Sequence, residues 1–314
     1  MKSVGWGKII LFGEHAVVYG YPALAAALDR GVEIAAIPTP AGGSLRLDIP
    51  AWDIAVTASR RDDHHRVGRA LAAIADHLGV GFPAVSLVGD AQIPPGSGLG
   101  SSAALAVAVA RALLVHPGRK PGEDPRTDTE AVTDAASASE TILHGRASGV
   151  DVALAIAGGI GVFRRSTGLR PIATPPLRVL IGPSGEPRST AEMVERVAQA
   201  TGGQAGDARL AELGHLTDLG TTALLAGELP SVGIALNRAH TVLTDLGVST
   251  PRLDALCEAA RAAGAHGAKL TGAGGGGALI AIAPRDREQA VLAAWRAAGV
   301  TTGFVATVGG GAAA

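Results

Sequence analysis

Short apolar runs of two different periods divide the chain. Residues 8–12, Lys-Ile-Ile-Leu-Phe, read as a strand whose two-residue period puts Lys8 on the face of Ile10 and Phe12. A lysine there needs a partner, unless its stem packs and its ammonium snorkels to water. Gly13, Glu14 and His15 form a turn. Residues 16–19 then resume extended structure, 21–27 are short and apolar, and 31–37 form a strand. Residues 44–49 alternate as an edge strand does, and 84–87 form another strand. Val67, Leu71, Ile74 and Leu78 recur at helical spacing and predict a helix over 66–78. A run rich in Ala, Val and Leu predicts a second helix over about 101–115. Residues 117–128 are charged and proline-rich, a surface connection, and Thr127 with Glu130 makes a capping box for a helix to about 144. Residues 148–151 read as a turn and 152–163 as an apolar run.

The stretch 167–176 is the best candidate domain boundary. Beyond it, a strand starts at 178–181, and Ser189 with Glu192 caps a helix to about 200. Helices follow at about 207–226 and 231–246. Thr250 and Pro251 open another helix, which ends near Gly264. Strands at 269–271 and 278–283 flank a glycine run. A helix over 286–298 and a strand over 301–307 close the chain.

Composition narrows the function classes. The 314 residues leave room for two domains, and 47% hydrophobic content fits a packed core. Lys and Arg number 27 against 28 Asp and Glu, so no basic bias points to nucleic acid or a membrane surface. The single cysteine, Cys257, excludes an internal disulfide framework and fits a reducing, cytoplasmic compartment. Glu14 and His15 interrupt the first apolar run, so no secretory signal is read there, and the run 152–162 is too short to span a bilayer.

The candidate chemistry centres on Pro94, Pro95, Gly96, Ser97, Gly98, Leu99, Gly100, Ser101 and Ser102, which lead straight into the 101–115 helix. Glycines let a backbone approach a ligand, and a helix N-terminus attracts anions, so this is a phosphate-cradle pattern. A Walker loop would carry Lys where Ser101 stands, and a dinucleotide fingerprint would carry Gly at 101 with an acid about 20 residues on. The chain has no acid between Asp90 and Glu123. The loop thus lacks its own cation, and a metal or a distant lysine must meet the phosphate charge. The alternative is a Gly-rich turn in which Ser101 or Ser102 only caps the helix.

Phosphoryl transfer needs phosphate positioning, Mg²⁺, a cation near the transferred group and a group that orients the acceptor hydroxyl. Ser102 and Glu140 can supply hard oxygen ligands. Asp151 can accept the hydroxyl proton, and Lys8 can pair with Asp151 and offset charge on the γ-phosphate. Each also has a plainer reading: Glu140 as an exposed helix carboxylate, Asp151 and the Glu14–His15 pair as turn residues, and Arg188, Ser189 and Thr190 as a helix cap. The run from Gly274 to Gly277 is costly in backbone entropy unless something must come close to it.

Three motifs together resemble the GHMP kinase superfamily: Gly-Lys-Ile-Ile-Leu-Phe-Gly-Glu-His-Ala-Val-Val-Tyr-Gly (7–20), Pro-Pro-Gly-Ser-Gly-Leu-Gly-Ser-Ser-Ala-Ala (94–104) and Lys-Leu-Thr-Gly-Ala-Gly-Gly-Gly-Gly (269–277). Within it, residues 13–20, 144–151 and 187–190, and Asn237 with His240 ahead of 246–248, resemble the mevalonate kinases. The resemblance implies an α+β fold of two domains. These are a ribosomal protein S5 domain 2-like N-terminal domain over 1–172 and a ferredoxin-like C-terminal domain over 173–314. It implies Mg²⁺ on Ser102 and Glu140, and Asp151 as base beside Lys8. It implies that Glu14, His15 and Thr190 lie at the acceptor. It implies that Pro95, Gly96, Ser97, Gly98, Leu99, Gly100, Ser101, Ser102, Gly274 and Gly275 hold ATP. The small-molecule partners it implies are ATP and mevalonate, and a homodimer is carried as an expectation. Pro95 and Ser97 vary from the family pattern, and Arg146 and Ala147 replace the more usual Asn-Pro. Galactokinases continue Thr-Asp-Tyr where this chain has the apolar Ala16, Val17 and Val18. Another GHMP small-molecule kinase, such as a phosphomevalonate kinase or galactokinase, and a non-catalytic nucleotide sensor on the same fold stay open.

Overall fold

The computed structural model describes residues 2–40, 43–62, 64–115, 125–145, 149–187 and 189–309, without the side chains of 125–127. Arg146, Ala147, Ser148 and Arg188, most of the 117–128 connection and the side chain of Thr127 lie outside the described residues. The chain divides into two units. Unit 1 is Met1–Gly7, Arg30–Pro95 and Gly100–Ala157; unit 2 is Lys8–Asp29, Gly96–Leu99 and Gly158–Ala314. Strands β1 (Lys2–Phe12) and β2 (Ala23–Pro38) contribute residues to both.

In unit 1, β3 (Arg46–Ile49) lies between β4 (Ile54–Thr57) and the later strand β5 (Val85–Ala91), and β5 pairs with the second half of β2. The β3–β5 pairing is parallel, with Leu47 opposite Leu87, and the other pairings are antiparallel. The alternation over 44–49 therefore marks an internal strand, not an edge. Helix α1 (Arg66–His77) follows β4, as its apolar spacing predicts. Helices α2 (Ser101–Leu114), α3 (Pro125–His144) and α4 (Val150–Ala157) complete the unit. α2 is apolar almost all round and accordingly buried. Its half-buried Arg111 donates to the carbonyls of Val4 (2.6 Å) and Ile156 (2.9 Å), and desolvation lowers its pKa. A Cβ on Gly5 would stand 2.0 Å from the Ala104 carbonyl oxygen, so glycine in β1 lets the first turn of α2 lie directly on the strand.

In unit 2, the first half of β2 pairs with β6 (Ile160–Arg164), which pairs with β7 (Gly168–Pro171). A separate four-stranded antiparallel sheet begins with β8 (Leu177–Pro183). Helices α5 (Thr190–Thr201), α6 (Ala208–Leu225), α7 (Leu229–Asp245) and α8 (Pro251–Ala262) follow, then β9 (Gly267–Thr271), β10 (Ala278–Ile282), α9 (Glu288–Ala297) and β11 (Phe304–Val308). The strand order β11-β8-β10-β9 is that of a ferredoxin-like sheet with helices added before its second strand. Ser189 and Thr250 cap α5 and α8 through hydrogen bonds from Glu192 N (3.2 Å) and Leu253 N (3.2 Å), as their sequences predict.

Five further expectations need correction. Residues 16–19 form a 3₁₀ turn, not extended chain, because His15 (φ 61°) and Gly20 (φ 96°) bend the backbone at both ends. Residues 23–27 of the first apolar segment and 31–37 belong to one strand, since β6 and β5 each take one half of it. The run 152–163 is two elements: Gly158 and Gly159, both left-handed, separate α4 from β6. Val150 and Asp151 are in the first turn of α4 and not in a loop, and α3 starts at Pro125, ahead of the Thr127 box.

Candidate active site

Unit 2 brings the first and third motifs together. Thr271 Oγ1 accepts from Ile10 N (2.9 Å) and donates to Ile10 O (2.9 Å), which locks β1 to β9 through one hydroxyl. Immediately after β1, Glu14 turns inward and meets Lys269 of β9; both residues are buried. Lys269 Nζ also donates to the Leu270 carbonyl (2.7 Å). Burial pushes Glu14 up and Lys269 down, each toward its neutral form. Their mutual attraction, and the nearby Lys8 ammonium acting on Glu14, oppose this. His15, held in left-handed backbone, places Nε2 2.8 Å from the Ala273 carbonyl, so that nitrogen carries the proton. A non-glycine residue in that conformation at a motif turn is strain held by its surroundings.

The glycine run is packed against its own unit. A Cβ on Gly274 would stand 2.1 Å from the Val248 carbonyl oxygen, and one on Gly275 2.6 Å from the Met193 sulfur. One on Gly276 would lie 2.8 Å from the carbonyl oxygens of Glu186 and Pro187. The loop thus closes on the segment that leads to Ser189 and the exposed Thr190. Lys8, read as buried or snorkelling, is only 3% exposed, and its N–H donates to the Leu99 carbonyl at 2.8 Å. Gly96–Leu99 of the phosphate loop is therefore tied to the first motif in the same unit. Gly96 and Gly98 are both left-handed, and a Cβ on Gly96 would meet nothing within 4 Å. Conformation, not crowding, requires that glycine.

β9 sits at the edge of its sheet, and α7 covers that edge. Asn237 Oδ1 accepts from Ala268 N (3.0 Å) and its Nδ2 donates to His266 O (3.2 Å). His240 Nδ1 accepts from Leu270 N (3.4 Å), which leaves Nε2–H to face Asp254 Oδ1 at 3.1 Å. Desolvation lowers the His240 pKa to about 4. Gly233, one turn earlier, has no room for a Cβ, which would lie 2.4 Å from the His266 backbone. Asn237 and His240 thus imitate a neighbouring strand for alternate residues of β9.

Unit 1 carries the remaining candidates. Gly100, left-handed, is the N-cap of α2, and no side chain caps the helix. This removes the reading of Ser101 or Ser102 as a cap. Ser102 Oγ instead lies 3.0 Å from His144 Nε2, the last residue of α3. Glu140 lies one turn before His144 on the same helix, and at 3% exposed it is not the surface carboxylate of the plainer reading. Asp151 is half-buried at the positive end of α4. Among the described residues no three His, Cys, Asp or Glu side chains cluster as a metal cage. A hydroxyl and a buried carboxylate, both hard oxygen donors, fit a Mg²⁺ that takes its other ligands from phosphates and water.

Lys269 and His144 are the residues that motif reasoning left without a role. Lys269 had a legible signal: a charge inside the apolar run 267–271, the same argument that singled out Lys8.

Residues 65–159 match the family profile described as GHMP kinases N terminal domain, and residues 221–301 match GHMP kinases C terminal. The mevalonate kinase of Thermococcus sibiricus is 33% identical over 309 residues, covering 91% of this chain and 90% of that protein. That of Pyrococcus horikoshii is 32% identical, covering 90% and 89%. The crystal structure of L. major mevalonate kinase in complex with R-mevalonate superposes with a TM-score of 0.82 at 29% identity, over 100% of this chain and 97% of that one. No described helix is long and apolar enough to cross a membrane. With both family domains in order and a third of its residues shared along nine-tenths of its length, the chain belongs to the GHMP kinases, in their mevalonate kinase branch.

Proposed function

We propose that the chain transfers the γ-phosphoryl group of ATP to the 5-hydroxyl of mevalonate, as a cytoplasmic homodimer whose domains divide near residue 172. The observation that carries this reading is the convergence in unit 2 of Lys8, Glu14, His15, Gly96–Leu99 and the glycine run after Lys269. In this reading the left-handed glycines at 96, 98 and 100 and the α2 N-terminus present N–H groups to the phosphates, with Pro95, Ser97, Leu99, Ser101, Gly274 and Gly275 lining the nucleotide. Ser102 and Glu140 would hold Mg²⁺. When bound, that ion neutralises charge on the β- and γ-phosphates.

Asp151 orients the acceptor hydroxyl and takes its proton. An alcohol is a weak acid, so the proton moves late, after the O–P bond has begun to form, and alignment is the larger part of the contribution. Lys8 offsets the charge on the transferred group. Glu14, His15 and Thr190 bind the acceptor, and the apolar Ala16 and Val17, both buried, favour a branched aliphatic chain over a sugar. The test is ADP release measured with mevalonate, phosphomevalonate, galactose and homoserine. Turnover confined to mevalonate is expected. Preference for another acceptor, or ATP binding without any turnover, would replace this reading with a sister kinase or a nucleotide sensor. Light scattering checks the homodimer.

A further inference from the structure

The Glu14–Lys269 pair has no part in the transfer chemistry above, and stability is a weak reason for it. Two charges leave water to form it, and apolar replacements of such pairs are often neutral or stabilising. The pair is also incomplete. Glu14 Oε1 meets Lys269, but Glu14 Oε2 is fully buried with no hydrogen-bond partner among the described residues. A buried carboxylate oxygen left in this way is costly, and such groups are few in native proteins. The Lys269 ammonium serves Glu14 Oε1 and the Leu270 carbonyl, and the Leu270 N–H is held by His240, so both ends of this contact are anchored to β9 while Oε2 stays unserved. The next residue, His15, is held by the Ala273 carbonyl, which anchors the turn that carries Glu14.

We propose that Lys269 is a positioning residue for acceptor binding: it fixes Glu14 so that Oε2 accepts a hydrogen bond from the hydroxyl of the substrate that is not phosphorylated. This rests on the reading of Glu14 as an acceptor-site residue. The charged groups that bear on Glu14 are Lys269 from β9 and Lys8 from β1. Without Lys269, Glu14 protonates at higher pH, and a protonated carboxyl is a poorer acceptor.

Three measurements test the proposal. On the wild-type enzyme, 5-hydroxy-3-methylpentanoate, which lacks the second hydroxyl, should lose about tenfold to a hundredfold in kcat/KM relative to mevalonate, the range for a hydrogen bond to a charged group. Lys269→Met should raise KM for mevalonate about tenfold and leave KM for ATP unchanged, with the acid limb of kcat/KM moved to higher pH. The double variant Glu14→Gln with Lys269→Met removes the stranded charge, so its Tm should recover while its KM for mevalonate stays high. A double variant that recovers both would make the pair purely structural and overturn the proposal, as would equal kcat/KM for the two substrates. Wild-type enzyme inactive on mevalonate would instead overturn the assignment of the reaction.

Discussion

Thr271→Val tests the lock between β1 and β9 with little change of shape. Valine has the volume of threonine, and residue 271 is fully buried, so no cavity opens and no new group meets water. What is lost is the hydroxyl, which serves both Ile10 N–H and Ile10 C=O at 2.9 Å. A buried N–H deprived of its acceptor costs about 1–3 kcal/mol, and losing the donor to the carbonyl adds about 1 kcal/mol. The expected loss is therefore roughly 2–4 kcal/mol, a large share of a typical domain's stability. Urea unfolding followed by circular dichroism reads this as a lower midpoint at unchanged slope. Thr271→Ser is the control: it keeps the hydroxyl and loses only a methyl, about 1 kcal/mol. A valine variant as stable as wild type, or a serine variant that falls further than valine, would refute the argument that the hydroxyl holds the two strands. KM for mevalonate should rise in the valine variant even where it remains folded, because Glu14 follows β1 directly.

Asp151→Asn should lower kcat by about a hundredfold or more while ATP binding, read by calorimetry, persists; Lys8→Met should likewise lower kcat more than nucleotide affinity. Ser102→Ala should raise the Mg²⁺ concentration needed for half-maximal activity about tenfold. Because Gly100 supplies the cap, Ser102→Ala should lose only the His144 contact and change stability by about 1 kcal/mol or less. The buried His240, with a folded pKa of about 4 against 6.5 for the free side chain, binds fewer protons folded than unfolded between those values. Its contribution is thus complete above pH 6.5 and is lost as the pH falls toward 4, on the order of 3 kcal/mol in all. His240→Asn should flatten that part of the stability–pH profile; a slope equal to wild type would exclude His240 as its source.

Local chemistry was the legible part of the fold. Ser189 and Thr250 announced their helices because a cap acts on the next three residues, and α1 showed in the spacing of Val67, Leu71 and Ile74. The misreadings lie where long-range pairing overrides local signals. Asp29, Arg30 and Gly31 look like a break, yet β2 runs through them because a different strand takes each half. Among the candidate site residues, Lys8 carried a charge in a place where burial demanded a reason, whereas Glu140 reads as a surface helix carboxylate and its burial emerges only from the packing of α3. The union of Glu14 with Lys269 could not be read from either neighbourhood, since 255 residues separate them.

The docking of α7 on β9 also closes an edge of the four-stranded sheet. The Asn237 and His240 side chains occupy the hydrogen-bonding groups that an incoming strand would need. At the opposite rim of the same sheet, the Asp29 carboxylate takes the Thr307 N–H of β11 at 3.0 Å. Neither rim is bare, so the sheet offers no ready template for growth into fibrils. Conditions that loosen α7 should expose an aggregation-prone edge well before the core of the sheet melts.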